Sequence, residues 1–167
     1  MKRFAALFLF SLFAILPLNA QSEKTETEVD PGSTAVDVVA KRCFAQGNDV
    51  MIDLIVTGKG RWKVVAFLNN HCIFYDDEGN RYMGGLVNMG YQLLFEVDKN
   101  RHNQCHLDIE RDIPRKVRLI LKDVDEYAAS FPLIKLRYFG DNDSSNDCAI
   151  VIKNLPIDRD KQTNMFD

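Results

Sequence analysis

Two short segments hold the side chains best suited to chemistry, NRHNQCHLDIE at 100–110 and NNHCIFY at 69–75. Together they contain all three histidines and two of the four cysteines: His71, Cys72, His102, Cys105 and His106. Imidazole and thiolate are the usual ligands of zinc, so four of these side chains could form a tetrahedral site. The paired C-x-x-C spacing of a structural zinc site is absent, however. We therefore predict loop and strand-edge residues, with no metal and no cofactor, and keep a metal site as the alternative.

The remaining polar residues do not form a recognisable catalytic set. No serine lies in a G-x-S-x-G turn. Asp108 and Glu110 share one face of a predicted strand and could act as paired carboxylates, although alternation predicts that they face water while Leu107 and Ile109 turn inward. The acidic segments DDEGN and GDNDSSND lack the spacing of a calcium loop and are typical of turns. The prediction is that the protein is not an enzyme.

The first twenty residues have the pattern of a secretory signal peptide. Lys2 and Arg3 precede the uncharged run FAALFLFSLFAILPL, and polar sequence starts at Gln21. The run is too short for a membrane-spanning helix, and no cysteine follows the cleavage point to carry a lipid. A periplasmic or secreted protein is expected, with no transmembrane segment after cleavage.

Charge and composition describe one acidic domain. Of 21 basic and 24 acidic residues, removal of the signal would leave 19 and 24, a net charge near −5. This balance argues against a nucleic-acid-binding protein, which needs a clustered basic surplus. Residues 21–33 predict a flexible leader, 34–159 a single domain with a core, and 160–167 a polar tail.

An even number of cysteines in an exported chain favours disulfides, and four thiols allow three pairings. We predict Cys43 with Cys148, because sandwiches often bring the first and last strands side by side. Cys72 with Cys105 would form the second bond.

The elements that must position these residues are strands. Apolar side chains recur at every second position in four runs, which puts one set into a core and the other toward water. The predicted inward residues are Val50, Ile52, Leu54, Val56, Val117, Leu119, Leu121, Ile134, Leu136, Tyr138, Ile150 and Ile152.

Turn residues separate these runs. TGKGR at 57–61 predicts a hairpin, and Gly79 in DDEGN predicts a tight turn with positive φ. DVDEYAAS at 123–130 is the single helix candidate. Many short strands and no long crossover helix predict an all-β fold, an antiparallel β-sandwich of about seven to nine strands; its immunoglobulin-like form is what the resemblance described below implies.

Basic side chains alternate along two of the predicted strands. Lys116, Arg118 and Lys122 share the outward side of one, and Lys135 and Arg137 that of another. If the two strands are neighbours, they form a basic sheet face that could bind an anionic glycan, a lipid headgroup or an acidic protein. Two aromatic residues near glycine-containing breaks, Tyr82 and Tyr91, are further candidates for exposed contacts, whereas Trp62 is expected in the core.

The order of these motifs resembles a known group. VMIDLIVTGKGRW, IFYDDEGNRY, IPRKVRLILKDVDEYAASFPLIKLRY and CAIVIKNLPI are similar to segments of secreted, single-domain immunoglobulin-like bacterial proteins of unknown function, themselves similar in outline to bacterial extracellular immunoglobulin-like antigens. Thr57 is followed here by Gly58, where the wider set usually has Asn. The resemblance implies fold and export and carries no catalytic residue.

The prediction that follows is a non-catalytic exported binding or interaction module, whose partner is a protein or glycan of the cell envelope or exterior. Two alternatives stay open. One is a small metal-dependent enzyme that uses the His/Cys cluster. The other is a chaperone-like or structural protein that pairs an edge strand with a partner chain.

Overall fold

The alternating runs of the sequence form long strands in a computed structural model, which describes residues 26–60, 64–88, 92–97, 105–140 and 148–159. The strands are β1 (Glu28–Asp30), β2 (Val36–Gln46), β3 (Asp49–Gly58), β4 (Val64–Tyr75), β5 (Arg81–Asn88), β6 (Gln92–Val97), β7 (Cys105–Asp108), β8 (Pro114–Leu121), β9 (Ser130–Gly140) and β10 (Cys148–Pro156). All twelve predicted inward residues are buried.

The strands form one hydrogen-bonded path, in the order β1-β10-β9-β4-β5-β6-β8-β3-β2, with β7 paired to β4. The path folds into two layers, one of β2, β3, β8 and β6, the other of β10, β9, β4 and β5. The predicted all-β sandwich is therefore confirmed. Ten strands are described rather than seven to nine, because β1 and the short β7 are added. The pair β6–β8 is parallel, unlike the other pairs.

The core lies between the layers and draws on both. Ile52 and Leu119 from one layer and Phe74 and Ile134 from the other are fully buried. The rings of Phe74 and Phe131 pack edge to face, with centroids 6.0 Å apart. Such inward packing of apolar side chains from two sheets is the main source of stability of a sandwich.

The segment after β10 closes the sandwich. Asp158 bridges to Phe44 of β2 in a parallel sense, and its amide donates to the carbonyl of Cys43 at 2.9 Å. At the same end of the molecule, the hydroxyl of Thr27 donates to the carbonyl of Asn154 at 3.1 Å. The first and the last described segments therefore both leave the domain at the end where β10 stops.

Three local predictions are wrong. Residues 123–130 form no helix: 123–129 are a loop with a turn at Glu126 and Tyr127, and Ser130 begins β9. TGKGR at 57–61 does not join a hairpin, because β3 pairs with β2 and β8 while β4 belongs to the opposite layer. The leader predicted over 21–33 includes β1, which pairs with β10 from Glu28 to Asp30.

Gly79 does have a positive φ, of 89°, as its turn requires. In the part of the chain that the structure describes, no helix has the length and apolar character needed to cross a membrane. The segments predicted as signal peptide and polar tail, 1–20 and 160–167, lie outside the described residues, as does Trp62.

Candidate functional site

The two basic strands do not share a face. β8, with Lys116 and Arg118, pairs with β3 and β6, whereas β9, with Lys135 and Arg137, pairs with β10 and β4. The strands therefore belong to opposite layers, and the prediction of a joint basic face is wrong. Period-two alternation predicts which way each side chain points, but it contains no information on which strands become neighbours.

On β8, the charge of Arg118 is paired with that of a carboxylate, Asp53. Two nitrogens of the Arg118 guanidinium, Nε and Nη2, donate to the carboxylate of Asp53, at 2.6 and 3.0 Å, and Arg42 of β2 donates to the same carboxylate. The Arg118 hydrogen bond and that of Arg42 lower the pKa of Asp53 against the opposing effect of its partial burial. The two guanidiniums also lie 4.8 and 5.5 Å from the ring centroid of Phe44. Both arginines of this row therefore pair with Asp53, while Lys116 and Lys122 are simply exposed.

The outward side of β9, β4 and β5 is different, and we call it the cationic face. Its three cations are Arg81, Lys135 and Arg137. Lys135 stands opposite Ile73, which in turn stands opposite Met83, and Tyr75 stands opposite Arg81. Ile73 and Tyr75 are half-buried, and Met83 is 38% exposed. Each row across the three neighbouring strands therefore has a cation at one end and apolar side chains beside it.

The two arginines of this face contact side chains of neighbouring residues. The Arg81 guanidinium lies 5.9 Å from the centroid of the Tyr75 ring and donates to the sulfur of Met83 at 3.2 Å. Arg137 lies 3.1 Å from Nδ1 of His71, and because the guanidinium can only donate, that nitrogen accepts. Among the described residues, no carboxylate lies within ion-pair distance of Arg81 or Lys135.

His71 reaches Arg137 because β4 is interrupted. Phe67 pairs with Tyr138 and Cys72 with Leu136, so four residues of β4 (68–71) oppose a single residue of β9. The thiol of Cys72 closes this bulge with a 3.8 Å contact to the carbonyl of Leu68. Bulges re-aim side chains, and here the bulge presents His71 at the middle of the cationic face. The sequence signal was present in the polar pair Asn69 and Asn70, which breaks the alternation of the strand.

Tyr82 was predicted to be an exposed aromatic contact, but its side chain is partly buried. Its ring packs against the core, its hydroxyl donates to the carboxylate of Asp76 at 2.9 Å, and the amide of Asp125 donates to the same hydroxyl at 3.1 Å. Burial is the main reason that the pKa of Tyr82 is raised. The residue fixes the loop at 123–129 against the turn at 76–80. Tyr91 lies outside the described residues.

The acidic turn at 76–80 is likewise structural. Asp76 is 3% exposed and accepts from the amide and the side chain of Asn80, at 2.7 and 2.9 Å. Asp77 accepts from the amide of Ala129 and the hydroxyl of Ser130, both at 3.0 Å. Both carboxylates therefore accept hydrogen bonds from other groups of the protein. The second acidic segment, 141–147, is outside the described residues.

The His/Cys cluster does not converge. Cys105 is buried and its neighbour His106 is exposed, because successive residues of β7 point to opposite faces. Within the described ranges, no group of three histidine, cysteine or acidic side chains is arranged to hold a metal ion. A site combining Cys105 and His106 is therefore wrong, and His102 lies outside the described residues. Asp108 and Glu110 are exposed and Leu107 and Ile109 are buried, as predicted.

The four cysteines are free thiols in the structure. Pairing of Cys43 with Cys148 is wrong. The carbonyl of Cys43 accepts a hydrogen bond from the amide of Asp158, just after β10 ends. Cys148 begins β10, and an extended strand from Cys148 to Pro156 is about 26 Å long. A disulfide needs Cα atoms within about 7 Å. Pairing of Cys72 with Cys105 stays a prediction, since their strands, β4 and β7, are neighbours.

No protein-family model matches this chain, and no curated protein or solved structure is significantly similar to it. The resemblance to secreted immunoglobulin-like bacterial proteins therefore stays a prediction. The fold and the cationic face are established by the strand pairing alone.

Proposed function

We propose that the protein is a non-catalytic, exported binding module that binds an anionic ligand of the cell envelope or exterior through its cationic face. The observation that carries the proposal is a set of three cations on β5 and β9, the strands on either side of β4. Two of these cations, Arg81 and Lys135, have no carboxylate partner among the described residues. The chain as a whole carries a net charge of −3. Positive charge on this face is therefore a local arrangement.

The apolar side chains of the face support binding as well. Ile73, Tyr75 and Met83 lie between the cations and lose water when a ligand covers them, which supplies a favourable term that charge alone does not. Exposed cations mainly accelerate encounter with an oppositely charged partner and add specificity. A ligand with negative groups at the rim and apolar groups at the centre fits this arrangement best.

The edge-strand alternative has less support. β2 is the long edge strand, and a register shift between Ala40 and Arg42 bends it while Asp158 covers it at Phe44. At the other edge, β1 is three residues long and is followed directly by Pro31. Bulges, charges, short strands and proline are the devices that prevent an edge from pairing with another chain.

Titration with two polyanions, dextran sulfate and polyglutamate, tests the proposal, with uncharged dextran as the reference ligand. We expect saturable binding of at least one polyanion, weakened by salt. In the double variant Arg81→Glu/Lys135→Glu, the dissociation constant should rise at least about tenfold, or 1.4 kcal/mol.

Lys116→Glu is the matched control, because Lys116 is also an exposed cation on a strand but lies on the opposite layer. It changes the net charge without touching the cationic face, and we expect a rise of less than about threefold, which corresponds to less than 0.7 kcal/mol. Equal weakening by the control and by the double variant, or no binding to either polyanion, would contradict the proposal.

A further inference from the structure

Cys72 and Cys105 lie next to each other beneath the bulge of β4. Cys105 pairs with Phe67 across β4 and β7. Because residues 68–71 leave the ladder, Cys72 takes the next paired position of β4 after Phe67, opposite Leu136. Cys72 is therefore diagonal to Cys105, and both thiols are buried, at 0% and 3% exposure.

The charge of Cys105 also acts on the thiol of Cys72. Burial is the main reason that the pKa of Cys72 is raised to about 12, and the charge of the Cys105 thiolate raises it further. Burial raises the pKa of Cys105 to about 11. Such coupling through the core agrees with the diagonal position deduced from the strand register.

We propose that Cys72 and Cys105 form a disulfide that fastens β7 to β4 below the cationic face, while Cys43 and Cys148 remain thiols. Diagonal positions have Cα atoms about 7–8 Å apart and disulfides need less than about 7 Å, so a shift of about 1 Å is required. The bulge allows it, because residues 68–71 have no ladder partner on β9. The proposal is independent of ligand binding.

The bond forms by exchange with a small-molecule disulfide such as oxidised glutathione. One cysteine thiolate attacks a glutathione sulfur, and the first glutathione leaves as a thiolate. The second cysteine thiolate then attacks the protein sulfur of the mixed disulfide and releases the second glutathione. The protein loses two hydrogens and is oxidised, and glutathione disulfide is reduced to two thiols.

Burial determines when this exchange can occur. The rise in the pKa of Cys72 to about 12 lowers its thiolate population at neutral pH, and the thiolate is the reactive species. The folded dithiol therefore reacts slowly, and the bond forms while the chain folds. In the unfolded chain both thiols are solvated and reactive.

Refolding in the presence of oxidised glutathione tests this inference. The reduced, denatured protein is diluted into the oxidant, remaining thiols are alkylated in denaturant, and digested peptides are mapped by mass. We expect the peptides of Cys72 and Cys105 to be joined, with the mass of two hydrogens missing, and those of Cys43 and Cys148 to be alkylated. Addition of oxidant after folding should give the same bond at least about a hundredfold more slowly.

The mapping uses the unmodified sequence, so its result does not depend on a variant that folds. Cys43→Ala should leave the joined peptide unchanged, whereas Cys105→Ala should abolish it. Alkylation of all four cysteines after oxidative refolding, or a bond between any other pair, would overturn the inference.

Discussion

At the scale of single residues, Arg118 on one layer and Arg81 on the other differ in whether a carboxylate lies beside the guanidinium. Arg118 and Arg42 share the carboxylate of Asp53, whereas Arg81 stacks on an aromatic ring and contacts a thioether. A paired guanidinium on a sheet surface contributes to stability, and an unpaired one is available to a ligand. The same residue type thus has different roles on the two faces.

The Asp53 ion pairs should make stability depend on acid. The pKa of Asp53 is lowered in the folded state, so its contribution is present above its ordinary pKa near 3.8 and is lost as the pH falls through the lower folded value. We expect Asp53→Asn to lose about 1–2 kcal/mol of unfolding free energy at neutral pH. We also expect the variant to lose less stability than the native protein when acidified below about pH 4.

Urea denaturation at several pH values measures this difference. Asp37→Asn is the control, because Asp37 is an exposed carboxylate on β2 without an ion pair among the described residues. A control that loses as much stability as Asp53→Asn would show that net charge, rather than the Arg42–Asp53–Arg118 contacts, is responsible.

At the scale of elements, the three residues of β1 depend on a close approach of backbones. Gly32, just after β1, has a φ of +71°, and a Cβ there would lie 2.2 Å from the carbonyl oxygen of Ala149 on β10. The carbonyl of Pro31 also accepts from the hydroxyl of Tyr138 at 2.6 Å. Glycine at 32 therefore permits both the turn and the contact.

Gly32→Ala should destabilise the protein more than the same change at Gly79. Both glycines have positive φ, but nothing lies within 4 Å of a Cβ at 79. Gly79→Ala should lose only the backbone term of about 1 kcal/mol, and Gly32→Ala at least about 1 kcal/mol more, because the backbone of β1 or β10 must move. Thermal unfolding compares the two, and equal losses would mean that β1 shifts without cost.

At the level of single strands, the sequence predicts the direction of each side chain better than it predicts which strands lie side by side. The inward positions of β3, β8, β9 and β10 were predictable because alternation is a property of the strand itself. The separation of β8 from β9 was not, since it depends on which layer each strand joins. The His71 bulge was not predicted either, because the polar pair Asn69 and Asn70 marks a break in the alternation but not that residues 68–71 leave the ladder. Arg81 was missed, although alternation from the inward-packed Tyr82 would have placed it outside.

At the scale of the whole molecule, the end of the described chain holds the loop between β8 and β9 in place. The Arg159 guanidinium donates to the carbonyl oxygens of Ala128, at 2.6 Å, and of Asp125, and the amide of Ile157 donates to Ala129 at 2.8 Å. Tyr127, at the tip of that loop, is 74% exposed. Hydrogen bonds thus fix the base of the loop, and its tip is exposed to solvent.

Arg159→Ala should loosen this loop and lower the melting temperature. Two charge-assisted hydrogen bonds to main-chain carbonyls are lost, for an expected decrease of about 1–3 kcal/mol in unfolding free energy. Hydrogen exchange should accelerate at Ala128 and Ala129 and remain unchanged in β3. Tyr127→Phe is the control, because the exposed ring tip lies outside these contacts, and it should leave both measurements unaltered.

The two ends of the described chain, at Thr27 and Arg159, leave from one pole of the sandwich. If a linker attached either end to a surface, this pole would face that surface and the turn at 109–113 would face away from it. The cationic face, which runs along β9, β4 and β5, would then be roughly perpendicular to that surface. A ligand lying between neighbouring copies could reach it more readily than one approaching from above.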